Sequence, residues 1–123
     1  VRILISDTED PIPLGKEIIY VVKIINETDT PMPYINVTVI IPEEMQFIKI
    51  NRLLATLVFG GIGEKGGRLS FREIYLRLKE KHIYEIICKA IRPGLVKVRG
   101  ELMVGYFGPP IYEEESTQIY VPK

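Results

Sequence analysis

The chain has 123 residues, 46% of them hydrophobic, with sixteen basic and sixteen acidic side chains that cancel to a formal net charge of zero. A domain of this size buries roughly two-thirds of its accessible surface on folding, enough for a core without staples, and the balanced charge offers no basic stripe for counterion release to DNA or RNA. The single cysteine, Cys88, excludes an internal disulfide, and no apolar run approaches the ~20 residues that cross a bilayer as a helix.

The chain opens on Val1 and enters a strand-like run at once, which suggests a piece of a longer protein whose signal peptide lies upstream. Residues 16–26, KEIIYVVKIIN, alternate with period two: Tyr20, Val22, Ile24 and Asn26 share one parity, Glu17 and Lys23 the other. YINVTVIIP repeats the pattern, with Val37, Val39 and Ile41 on one side and Asn36 and Thr38 on the other. Between them NETDTPMP, residues 26–33, carries the Asp and Pro punctuation of a turn.

The next segment admits two readings. FGGIGEKGG holds a G-x-G-x-x-G run at Gly61, Gly63 and Gly66, and Ser70 with Glu73 makes a capping-box pattern before Phe71, Ile74, Tyr75 and Leu78, which fall on one helical face. A dinucleotide turn needs a parallel second strand with an acid for the ribose. At the end of IYEIICKAI, however, stand Lys89, Ala90, Ile91 and then Arg92 with no acid among them, and only 32 residues follow Ile91, none with a helical pattern. The favoured reading is a long connection in which the glycines supply left-handed positions. Farther on, RPG at 92–94 reads as a hairpin into LVKVRGELMV, where Val96, Val98, Leu102 and Val104 alternate with Lys97, Arg99 and Glu101. GPPIYEEE reads as a connection and STQIYV as the last strand. Strands recurring every ten to fifteen residues between Pro/Gly turns are the pattern of an antiparallel sandwich.

The run from Asp10, Pro11 and Gly15 through Tyr20, Val22, Ile24 and Asn26, then Asn36, Val37, Val39, Pro42 and Phe47, resembles the conserved repeat domain called domain of unknown function eleven. Phe71, Leu76, Tyr84, Lys89, Ala90, Gly94, Val96, Ser116 and Thr117 continue the likeness over nearly the whole chain. The resemblance implies an Ig-like β-sandwich that recurs, often in tandem, in surface and outer-envelope proteins of bacteria and archaea, including the large cysteine-rich outer-membrane proteins of chlamydiae. It further implies that Phe71 ends a strand, that LRLKEKHIYEIICKA is the connection and strand closing the sandwich, and that any helix there is at most a turn. NETDTP stands where the family usually carries Asn-x-Gly, and the chlamydial cysteines are absent. The family supplies no catalytic residues.

Catalytic chemistry finds little purchase in the residues themselves. His82 and Cys88 share a strand parity, but six residues at ~3.3 Å each set them roughly 20 Å apart. Cys88 sits in the apolar row Tyr84, Ile86, Cys88, Ala90 and reads as an inert core thiol; His82, among Lys79, Glu80 and Lys81, reads as a solvated strand start. Acids cluster as Asp7, Glu9 and Asp10 and as Glu113, Glu114 and Glu115, either as solvated charge or as a shared calcium site at a domain boundary. The sequons Asn26-Glu27-Thr28 and Asn36-Val37-Thr38 read as accidental, with Asn26 bonding backbone at a strand end.

Opposite the Tyr20 row lie Ile19, Val21 and Ile25, broken by Lys23. An apolar row on the solvent side marks either a partner contact or cover by the chain's own residues 53–80. The expectation is therefore an all-β, Ig-like antiparallel sandwich of seven to nine strands occupying residues 1–123, one repeat of a longer protein of the cell envelope or cell surface. Its expected role is non-catalytic: spacing, and packing against neighbouring repeats, a second copy or other envelope proteins, with no cofactor beyond the open calcium reading. The alternative is a ligand- or carbohydrate-binding sandwich in which Tyr106, Phe107 and Tyr112 stack on sugar rings.

Overall fold

The computed structural model describes residues 1–51, 56–60, 63–105 and 109–123. They form the strands β1 (Arg2–Asp7), β2 (Ile12–Pro13), β3 (Glu17–Ile25), β4 (Met32–Ile41), β5 (Met45–Asn51), β6 (Thr56–Gly60), β7 (Gly67–Leu76), β8 (Lys81–Ala90), β9 (Gly94–Val104) and β10 (Ile111–Tyr120). No helix occurs among the described residues. A four-stranded sheet in the order β1-β3-β8-β5 faces a six-stranded sheet in the order β2-β10-β9-β4-β7-β6. Every pairing is antiparallel except the short parallel contact of β2 with β10. This is the expected Ig-like sandwich, with the two-residue β2 taking the strand count to ten.

The period-two rows become the inner faces. In β3, Ile18, Tyr20, Val22 and Ile24 are buried and the residues between them are not. In β4, Ile35, Val37, Val39 and Ile41 do the same from the opposite sheet. Each strand thus contributes alternate side chains to one layer between the sheets. Phe71 of β7 stacks on Tyr84 of β8 across that layer, ring centroids 4.9 Å apart. The sheets approach closely where β9 passes β1: a Cβ on Gly100 would lie 2.6 Å from Ile5 Cδ1 and 2.8 Å from Ile3 Cδ1. A side chain there would require the ends of Ile3 and Ile5 to move aside.

One polar chain ties the sheets together. Tyr20 Oη lies 2.8 Å from Thr117 Oγ1, which donates to Asp7 Oδ2 at 3.0 Å. Tyr20 and Thr117 are fully buried, so the phenol relies on Thr117 for its partner, and burial pushes the Tyr20 phenol well above its ordinary range.

Several local expectations change. β6 and β7 pair antiparallel, with Thr56 opposite Arg72 and Gly60 opposite Arg68, so the glycine run joins two hairpin strands. Of the run, Gly66 (φ +59) takes a left-handed backbone conformation, as does Gly67 (φ +131) at the first residue of β7, whereas Gly63 does not; Gly61 lies outside the described residues. Phe71 lies inside β7, which continues to Leu76. RPG does not form a hairpin: β8 and β9 belong to different sheets, and Gly94 (φ +137) starts a crossing between layers, held by Ile91 N–H donating to Glu44 O at 2.9 Å. IYEEE is strand, not connection. Its register on β9, Ile111 opposite Leu102 through Ile119 opposite Gly94, carries the glutamates along in the ladder against their poor intrinsic β preference.

Candidate interaction surface

The outer face of the four-stranded sheet is assembled from the registers. Ile19 stands beside Ile87, Val21 beside Glu85, Lys23 beside Ile83 and Ile25 beside Lys81 on β8. On the other flank β1 sets Leu4 beside Lys23 and Ser6 beside Val21. Ile19, Val21 and Ile25 are half-buried among these neighbours, and Leu4 and Ile48 are exposed. Ile87, on this outer side between Ile19 and Lys49, is only 6% exposed. Within residues 53–80, β6 and β7 lie in the opposite sheet and so give this face no cover. What results is an aliphatic band interrupted by side chains of both signs, among them Lys23, Lys81, Glu17 and Glu85.

The aromatic loop is placed in part. Tyr112 is 49% exposed on the outer side of β10, with the Arg99 guanidinium carbon 4.2 Å from its ring centre. Tyr106 and Phe107 lie outside the described residues. Beside Tyr112 the sheet carries features that periodicity alone did not single out. Between Met32 and Val37 the β4–β7 ladder slips twice, first at Pro33–Tyr34 and then at Arg72–Glu73, and Tyr34 takes a left-handed φ of 59°. Such bulges re-aim side chains. The only sequence signal for this is the M-P-Y step at the head of the strand.

Two of the acids from separate clusters do meet. Asp7 N–H donates to Glu115 Oε2 at 3.3 Å, and Asp10 Oδ1 accepts from Gln118 N–H at 3.0 Å. Burial raises the Asp7 carboxyl above its ordinary value, and the Asp10 charge adds to this against the lowering bond from Thr117. Burial likewise raises Glu115, with the Asp7 charge acting in the same direction. Glu9 instead pairs with Lys16 at 2.6 Å, and Glu114 with Lys97 at 3.8 Å. Among the described residues no group of three or more His, Cys, Asp or Glu side chains is disposed to hold a metal ion.

Asn26 is fully buried at the end of β3. Its Nδ2 donates to Thr30 O (2.9 Å), Arg77 O (3.1 Å) and Leu76 O (3.3 Å), while Oδ1 accepts from Thr28 N–H (3.0 Å) and Thr28 Oγ1 (2.6 Å). The sequon is thus an Asx turn that binds the 26–31 loop to the far end of β7. Cys88 is buried, and desolvation pushes its thiol up to about 12. His82 is less solvated than its charged neighbours suggest: Nδ1 lies 3.2 Å from Tyr84 Oη and Nε2 3.1 Å from Glu80 Oε1. It pairs across from Ile24 while Cys88 pairs across from Ile18, at opposite ends of β8.

No protein-family model matches the chain, and no curated protein sequence does. Solved structures do match in fold. A cohesin module from a family 33 glycoside hydrolase of Clostridium perfringens superposes over 98% of this chain and 96% of its own, with a TM-score of 0.69 at 9% identity. A CARDB domain from Pyrococcus furiosus, solved in complex with di-metal ions, covers 98% and 92%, with a TM-score of 0.61 at 14% identity. The C-terminal domain of the antigen I/II polypeptide BspA of Streptococcus agalactiae covers 88% of this chain and 44% of that one, with a TM-score of 0.61 at 14% identity. At such identities the likeness is one of fold, an Ig-like β-sandwich, and the chain spans less than half of the BspA domain it matches.

Proposed function

We propose that the chain is a non-catalytic interaction module of a cell-surface or envelope protein, engaging a neighbouring repeat or a second copy of itself through the outer face of β1-β3-β8-β5. The observation that carries this reading is the aliphatic band of Ile19, Val21, Ile25 and Ile83, which no described element of the chain covers. A solvent-facing sheet surface is ordinarily polar, and aliphatic side chains gathered on one, even between charges, favour contact with a partner. Four strands ~4.8 Å apart and of 6, 9, 10 and 7 residues at ~3.3 Å each span on the order of 400–500 Å² of flat area. Once side-chain relief is added, that is comparable with the roughly 800 Å² per partner of a standard interface. Charges of both signs within the band let the face meet a copy of itself across a two-fold axis without net repulsion. The role is mechanical: a rigid sandwich that spaces and packs.

Replacing Ile19 and Val21 by Thr keeps β-branched side chains in the strand while removing apolar area from the contact. Light scattering across a concentration series is expected to show the native chain associating and the double variant staying monomeric, with unchanged circular dichroism. Equal masses at all concentrations would refute the contact.

A further inference from the structure

We propose that the outer face of the six-stranded sheet, on the side of the molecule away from the aliphatic band, binds a carboxylated saccharide. A groove of about 360 Å³ crosses β9, β4 and β7 there, lined by Tyr34, Asn36, Thr38, Ser70, Arg72 and Met103. A smaller hollow of about 110 Å³ continues it past Glu101 and Met103 to Pro110. The larger space alone lies within the roughly 300–1,000 Å³ range of small-molecule sites.

The lining selects the ligand class. Thr38 Oγ1 and Ser70 Oγ sit 3.3 Å apart on the floor, where each can serve as donor or acceptor. Mixed donors and acceptors on one surface fit a ring bearing several hydroxyls. Tyr34 is 53% exposed at the edge, held by the left-handed bulge at φ 59° and by Gly105 N–H donating to its carbonyl at 3.0 Å. It offers the aromatic wall against which a sugar's C–H face packs. Arg72 is exposed at the second bulge and has no ion-pair partner among the described residues. A planar guanidinium there meets a carboxylate with two parallel hydrogen bonds. Glu101 stands toward the opposite end, 3.6 Å from Arg99 Nε, so the ligand's acidic group is directed to the Arg72 end and its neutral hydroxyls toward Glu101. Both bulges converge on this groove, which gives them a purpose in the fold: they break the ladder only where the lining is formed.

The test is a titration of the ¹⁵N-labelled chain with D-glucuronate, D-glucose and propionate, read by amide chemical shifts. Glucuronate is expected to give saturable shifts confined to the strand segments around Asn36, Thr38, Ser70, Arg72 and Met103. Glucose and propionate should each bind about tenfold more weakly, the first lacking the charge and the second the hydroxyls. Arg72→Ala should cost glucuronate about tenfold and leave glucose unchanged, with Arg72→Lys intermediate. The exposed position of Arg72 keeps the fold intact, which an otherwise unchanged spectrum confirms. Absence of saturable glucuronate shifts, or shifts located elsewhere, overturns the site. Propionate binding equal to glucuronate reduces it to an anion contact, and glucose binding equal to glucuronate removes the role of Arg72.

Discussion

Asn26 shows how one side chain can close a sandwich. It carries both an amide donor group and a carbonyl acceptor, and at the end of β3 it uses them on the Thr28 turn and on the carbonyls of Leu76 and Arg77 in the other sheet's exit. Asn26→Ala would leave these buried groups without partners, at an expected cost of about 2–3 kcal/mol in unfolding free energy. Asn26→Asp should cost more, because it keeps the acceptor, loses the donors and places a charge against three carbonyls. Urea denaturation of the two variants checks both the size and the order. A loss below about 0.5 kcal/mol would mean the loop is held by something other than this residue. Cys88 marks the opposite case. Its burial and raised pKa make it a packing residue, as its place in an apolar row foretold.

At the scale of elements, the sandwich depends on how near β9 and β1 can come. Gly100→Ala would drive a methyl into the ends of Ile3 and Ile5, which must turn aside, with an expected destabilisation of about 1 kcal/mol. Ile5→Val removes the nearer terminal methyl, so the double variant should recover part of that loss. A double-mutant cycle with additive costs would show that the close approach is not the constraint. Elements of this kind were unevenly legible. β3 and β4 could be read from period-two alternation because one face of each meets the core. The start of β10 could not, because three consecutive glutamates hide a strand whose place is fixed by its ladder with β9. RPG signals a change of direction, but Pro and Gly do not encode whether the next strand lies beside the last or across from it. β5 escaped for a related reason: its register slips between Phe47 and Lys49, so its alternation is broken in the sequence as in the sheet. The groove rests on two such slips in β4 and β7, which depend on pairing partners far apart in the chain.

At the scale of the whole molecule, the two sheets have different outer faces. The four-stranded one is aliphatic with scattered charge, as the row Ile19, Val21 and Ile25 signalled. The six-stranded one is polar and grooved, a difference visible only once β4, β7 and β9 are set side by side. Such a division matches the two roles proposed for them, assembly on one face and a ligand on the other. The most direct test of the assembly face is amide hydrogen exchange, followed by mass spectrometry, on the chain at low and high concentration. Added protection at high concentration in β3 and β8, leaving β4, β7 and β9 unchanged, is the predicted result. Protection that falls on the six-stranded sheet, or that does not change with concentration, would contradict the account.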